Sequence, residues 1–168
     1  MKLSMYQASV PTMIRALDNL AAVLAKGQQF AEARKIDPAV LVASRLAPDM
    51  LPLSSQVQIA SDSAKGGAAR LAGQEPPSFE DKEKTLAELI ERVHKTVAYL
   101  KTLKPEQFEG SEDRTVTWKV RDETRSMQGQ PYLFQRVLPN LFFHVTTAYD
   151  ILRRDGVELG KADFLGKS

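Results

Sequence analysis

The sequence predicts an all-α protein, an antiparallel four-helix bundle with a small β-hairpin inserted between helices 3 and 4. Three observations predict it. Four long segments carry apolar residues at three- and four-residue steps, the spacing of a single helix face. One short run before the last of them is instead rich in β-branched and aromatic residues. The 168 residues, 43% hydrophobic and 26% charged, suit one globular domain over 1–168 with a core that needs no cross-links.

The first helix starts at Ser4, because Ser4 with Gln7 matches a capping box in which side chains satisfy free backbone N–H groups. Val10, Met13, Leu17, Leu20 and Leu24 continue its stripe, Pro11 predicts a kink, and Gly27 predicts its end. Residues 28–51 read as a connector with short helical pieces, one capped by Asp37 before Pro38. In it, Met50 and Leu51 between Pro48 and Pro52 predict an apolar plug over one end of the bundle. The second helix runs from Leu53 to Leu71. Its face of Val57, Ala60, Ala64 and Ala68, with Gly66 and Gly67, allows a neighbouring helix or a ligand to come close.

A loop over 73–78 with Pro76 and Pro77 separates it from the third helix, Asp81 to Leu103, whose stripe is Leu86, Leu89, Val93, Val97 and Leu100. Thr115 to Val120 forms a strand, Arg121 to Glu123 a turn, and Thr124 to Met127 the returning strand. An isolated hairpin is marginal in water, so this one must lie on the helices. The fourth helix follows Pro131 and runs to Asp155, with Pro139 as a second kink and Gly156 as its stop. Phe164 and Leu165 of the tail dock on the bundle.

Composition excludes several functions. The absence of cysteine removes catalytic thiols, zinc–thiolate sites and iron–sulfur clusters. Lys and Arg total 23 against 21 for Asp and Glu, and these charges are scattered, so no basic stripe for nucleic acid exists. No apolar stretch is long enough to cross a membrane, and the N-terminus lacks a secretory leader. The expected location is the cytoplasm. Phosphate-binding loops, dinucleotide turns, nucleophile elbows and HExxH pairs are all missing.

Of the two histidines, His94 falls beside Glu91 and Lys95 on a solvated face. His144 falls on the bundle-facing side of the fourth helix, where both ring nitrogens need partners and burial lowers the pKa. It is either a core histidine bonded to another helix or a ligand-binding group. Asn140, one turn earlier, and Trp118 and Tyr132 near the hairpin complete the candidate ligand-binding set. No catalytic residue is assigned, and His144 is the only candidate for metal. Its i+4 position is Ala148, and the second helix offers Gln58 and Asp62, both placed off its small-residue face, with Asp62 paired to Lys65 in solvent.

The run Leu138-Pro-Asn-Leu-Phe-Phe-His-Val-Thr-Thr-Ala-Tyr-Asp-Ile-Leu-Arg153 resembles an uncharacterised bacterial branch of the DinB-like superfamily. So do Leu46-Ala-Pro-Asp-Met-Leu-Pro-Leu-Ser-Ser-Gln-Val-Gln-Ile-Ala60 and the strand Thr115-Val-Thr-Trp-Lys119, and the resemblance covers nearly the whole chain. It implies an antiparallel four-helix bundle, frequently a homodimer. In many relatives a divalent metal is held by one histidine on the second helix and an HxxxH pair on the fourth, and some are thiol-dependent transferases or metal-dependent hydrolases. His144 matches one fourth-helix ligand, Ala148 stands where its partner would be, and the second helix has no histidine. No cofactor is therefore expected, and nickel or zinc is disfavoured.

Three readings follow, in this order. The first is a bundle binding a small ligand near His144. The second is a non-catalytic homodimeric interaction module, with Phe142 and Phe143 outside the core stripe as part of its interface. The third is a metal-dependent transferase or hydrolase with atypical ligands.

Overall fold

The computed structural model describes residues 3–166. Met1 and Lys2, which enter the reading of the N-terminus, and the last two residues of the tail lie outside the described residues. The chain is mostly helical, with one two-stranded antiparallel hairpin.

Helix α1 (Met5–Arg34) starts on the expected box: Ser4 Oγ accepts from the Gln7 N–H at 3.2 Å, and Gln7 accepts from the Ser4 N–H at 3.1 Å. It does not stop at Gly27. That residue is buried, and a Cβ there would come within 3.1 Å of the Leu152 side chain, so the glycine serves a close helix contact. The helix ends two turns later at Lys35, in the left-handed region at φ 55°. Pro11 lies inside α1 on its exposed side.

A short α2 (Pro38–Ala43) follows, capped by Asp37, which accepts from the Ala39 N–H at 2.9 Å. The expected plug is absent. Leu51 is 48% exposed, while Leu41 and Val42 of α2 enter the core. The reason is the tie on this loop, since Arg154 donates to the backbone carbonyls of Arg45 and Leu46 and Arg45 donates to that of Met50.

Helix α3 covers Leu53–Leu71, and α4 covers Leu86–Thr102. α4 begins at Leu86, not at Asp81, because Thr85 and Glu88 form a second capping box. The side chains of Asp81 and Glu83 are meanwhile spent on Arg92, at 2.8 and 2.9 Å. A 3₁₀ turn, Pro105–Phe108, leads to β1 (Thr115–Val120) and β2 (Glu123–Gln128). Val116 pairs with Met127 and Val120 with Glu123, so the loop is only Arg121 and Asp122, with Arg121 at φ 54°. Along β1, Val116 and Trp118 point inward and their neighbours outward, as a strand leaning on helices requires.

The last long helix is built in three pieces: α5 (Gly129–Pro131), a π-helical segment (Tyr132–Val137) and α6 (Leu138–Arg154). Pro139 falls in the first turn of α6, just after the π-helical segment, where the hydrogen-bond pattern of the helix changes. The winding of this helix thus changes just before the proline. A short α7 (Lys161–Leu165) brings the Phe164 ring edge-on to Tyr149 at 6.2 Å, whereas Leu165 stays half exposed.

α1 packs on α4 and α6, and α3 packs on the same two helices. The contacts fix direction. Tyr6, at the start of α1, meets Phe108 beyond the end of α4, so those helices run oppositely. Along α3, Gln56, Ser63 and Gly67 meet His144, Asn140 and Val137 in turn, so α3 and α6 also run oppositely. Gly27 meets Leu152 near the ends of α1 and α6, which share a direction. α3 and α4 share one as well, since Asp62 meets Arg92 and Gln74 meets Tyr99. Leu17, Leu20, Leu53, Leu89, Leu141 and Ile151 fill the space between the four.

Candidate functional site

Where α3, the π-helical segment, α6 and β1 meet, a cleft of about 330 Å³ is lined by Ser63, Gly67, Arg70, Trp118, Tyr132, Arg136 and Asn140, among others. Two glycines on α3 shape it. A Cβ at position 67 would collide with Val137 Cγ1, so only glycine lets the π-helical segment lie this close. A Cβ at position 66 would lie 2.7 Å from Arg70 Nη1, so its absence lets the Arg70 guanidinium fold back along its own helix. The small-residue face thus serves the close approach of a neighbouring helix, with the cleft beside it.

Tyr132, Arg136 and Asn140 follow one another at four-residue steps through the π-helical segment into α6, which puts all three on the cleft. The Tyr132 ring is buried and sits 4.9 Å from that of Trp118, tilted by 45°. Each aromatic has a guanidinium beside it: Arg136 lies 6.0 Å from the Trp118 ring centre, and Arg70 donates to the Tyr132 hydroxyl at 3.4 Å. Asn140 donates through Nδ2 to Ser63 Oγ at 2.6 Å, while that hydroxyl donates to the Ile59 carbonyl at 2.6 Å. The order of donors fixes the amide: its nitrogen must face Ser63, which leaves Oδ1 as a free acceptor.

His144 is buried, 8% exposed, and does not line this cleft. Its Nδ1 lies 2.7 Å from Gln56 Oε1 on α3. Gln56 Nε2 donates to the Leu51 carbonyl at 2.9 Å. A carbonyl can only accept, so the Gln56 oxygen must face the imidazole and Nδ1 must carry the proton. Burial pushes the His144 pKa below its ordinary value, so the ring is neutral near pH 7. The imidazole thus ties α6 to α3 and, through Gln56, to the loop before α3. Phe143 beside it is 55% exposed, and Phe142 is half-buried. His94 is exposed.

A second cluster joins α3 to α4 and shares Asp62 with the cleft. Arg92, its side chain 2% exposed, pairs with Asp62 at 3.1 Å, Asp81 at 2.8 Å and Glu83 at 2.9 Å. Burial works against its charge, but the Glu83 hydrogen bond and the three carboxylates outweigh it, and the guanidinium is more basic than usual. Burial likewise pushes Glu83 up, and hydrogen bonds from Gln58 and Arg92 more than reverse this and hold it below the usual carboxylate range. Asp62 also accepts from Lys65 at 2.9 Å, but Lys65 is buried, with its ammonium 4.0 Å from the Phe79 ring centre. The solvated pair expected from the sequence is thus one edge of a cluster, built around the buried cations Lys65 and Arg92, that straps residues 79–83 onto α3 and α4.

Three of the four residues singled out in the sequence, Asn140, Trp118 and Tyr132, come together. His144 lies one turn further along α6. Arg70, Arg136 and Ser63 were missed. Arg136 could have been found, because it stands midway between Tyr132 and Asn140 at helical spacing.

The family described as a domain of unknown function (DUF1993) matches residues 5–165. This chain belongs to that family. It is also similar to a solved structure, the crystal structure of a DinB family member protein from Shewanella denitrificans, at 41% identity and a TM-score of 0.91. The match covers 98% of this chain and 93% of that one. No curated protein matches significantly. The DUF1993 chain is therefore DinB-like, as its sequence suggests, and the resemblance raises a divalent metal. The donors around His144 do not fit one. Nδ1 is committed to Gln56, the next turn presents the buried Ala148, and no group of three or more His, Cys, Asp or Glu side chains gathers among the described residues.

Proposed function

We propose that this DinB-like chain is a small-ligand-binding bundle, a single unit whose four long helices run up, down, down and up. The ligand sits in the Trp118–Tyr132 cleft, one turn from His144, without a three-histidine metal site. The observation that carries this reading is the cleft itself. A concave site with two aromatic rings and a few convergent polar groups is the usual form of a small-molecule site. Here the rings of Trp118 and Tyr132, the free Oδ1 of Asn140 and the guanidiniums of Arg70 and Arg136 supply that form. In this arrangement the buried imidazole of His144 positions Asn140 by fixing α6 against α3.

Trp118 is the one tryptophan of the chain, so its indole N–H gives a single resonance that reports on the cleft. Titration with indole, a neutral aromatic probe, is expected to move that resonance saturably. Ser63→Phe, which fills the cleft from α3, abolishes the shift without unfolding the protein. An unmoved resonance up to the solubility limit of indole, or a shift unchanged in Ser63→Phe, overturns the reading.

A further inference from the structure

We infer that the cleft takes an aromatic carboxylate that also carries a ring N–H or hydroxyl. The inference rests on the ligand-binding reading above and adds the chemistry of the ligand.

The charges around the cleft decide its sign. Arg70, Lys119 and Arg136 all line it, and among the described residues none of the three forms an ion pair. The carboxylate that lines it, Asp62, already accepts from the buried cations Lys65 and Arg92. Its charge is therefore balanced from behind. Three uncompensated cations around one concave surface favour an anion. Two guanidiniums offer the paired N–H donors that match a carboxylate.

The walls decide its shape. Trp118 is half-buried and packs at 4.9 Å, tilted by 45°, on the buried ring of Tyr132, so the indole is the aromatic wall on which a flat apolar body lies. A volume of about 330 Å³ holds one or two fused rings with a short acidic arm. The Asn140 amide supplies the remaining requirement. With Nδ2 held by Ser63, Oδ1 accepts from nothing among the described residues. A ring N–H or hydroxyl satisfies it, and a plain hydrocarbon ring leaves it unpaired.

The test uses three probes on the intact protein, read by the Trp118 indole resonance and by calorimetry. These are indole-3-acetate, its neutral amide indole-3-acetamide, and naphthalene-1-acetate, which keeps the acid and lacks the N–H. The acid is expected to bind about tenfold more tightly than the amide, with a preference that shrinks as salt is raised. Naphthalene-1-acetate binds several-fold more weakly than indole-3-acetate. Arg136→Gln, at an exposed position where folding is not at stake, reduces the preference for acid over amide severalfold, and an unreduced preference overturns the role of the guanidiniums. Asn140→Leu equalises the two acids.

The failures separate. If acid and amide bind equally while the Trp118 resonance still moves, the anionic ligand is refuted and the cleft survives. If naphthalene-1-acetate matches indole-3-acetate, the donor requirement is refuted. If no probe moves the resonance, both this inference and the ligand-binding reading fall.

Discussion

The closeness of α3 to the π-helical segment can be measured through Gly67 and Val137. In Gly67→Ala the new Cβ falls on Val137 Cγ1, a β-branched side chain with little freedom to turn aside. Two terms oppose each other. Alanine in a helix interior stabilises by about 0.5–1 kcal/mol over glycine. Overpacking a filled contact costs about 1–3 kcal/mol. The second wins, and a net loss of about 1–2 kcal/mol is expected. Val137→Ala removes two methyl groups from a side chain only 4% exposed, a loss of about 1–3 kcal/mol. In the double variant the added methyl enters the space vacated by the valine. The two changes should therefore not add: the double variant is expected to be more stable than the sum of the singles by about 1–2 kcal/mol. Urea unfolding of the four proteins, extrapolated to water, measures this coupling. Additivity to within about 0.5 kcal/mol, or a stabilised Gly67→Ala, would refute the argument that glycine is there for the approach of Val137.

Two further predictions follow. His144 is held neutral, so its folded pKa lies below the unfolded 6.5. As pH falls through that unfolded value the unfolded chain takes up a proton that the folded chain refuses. Stability then declines until the folded pKa is passed, with a slope of at most about 1.4 kcal/mol per pH unit from this group. His144→Gln keeps a donor towards Gln56 and should lose this part of the slope. Identical slopes between pH 7 and 5 in both proteins would show that the imidazole is not desolvated. Arg92→Met leaves Glu83, Asp62 and Asp81 facing one another without their shared cation. Because Asp62 and Asp81 reach solvent, the loss should be about 2–4 kcal/mol and not the upper limit for a fully buried pair. A change below about 0.5 kcal/mol in urea unfolding would mean that the strap over residues 79–83 contributes nothing.

Much of the fold was legible because its signals are local. The Ser4–Gln7 box, the Asp37–Pro38 start, the stripe of α4 and the β-branched run at Thr115 each depend on residues within a few positions of one another. Two of the misreadings share a source. Gly27 looked like a stop and is a contact with Leu152, more than a hundred residues away in the chain. Asp81 looked like the start of the third helix and is a partner of Arg92. In both cases a residue type with a strong local preference was used for a distant purpose.

The amino-acid sequence by itself determined which segments are helical, which face of each is apolar, and that Asn140, Trp118 and Tyr132 are unusual where they stand. Local hydrogen bonding and periodicity are enough for that. Only the tertiary structure decided which helices run in the same direction and that Arg70 and Arg136 join those residues on one cleft. It alone placed His144 out of that cleft, against Gln56. Those outcomes depend on how side chains from separate elements interpenetrate, as where Val137 of the π-helical segment lies against Gly67 of α3.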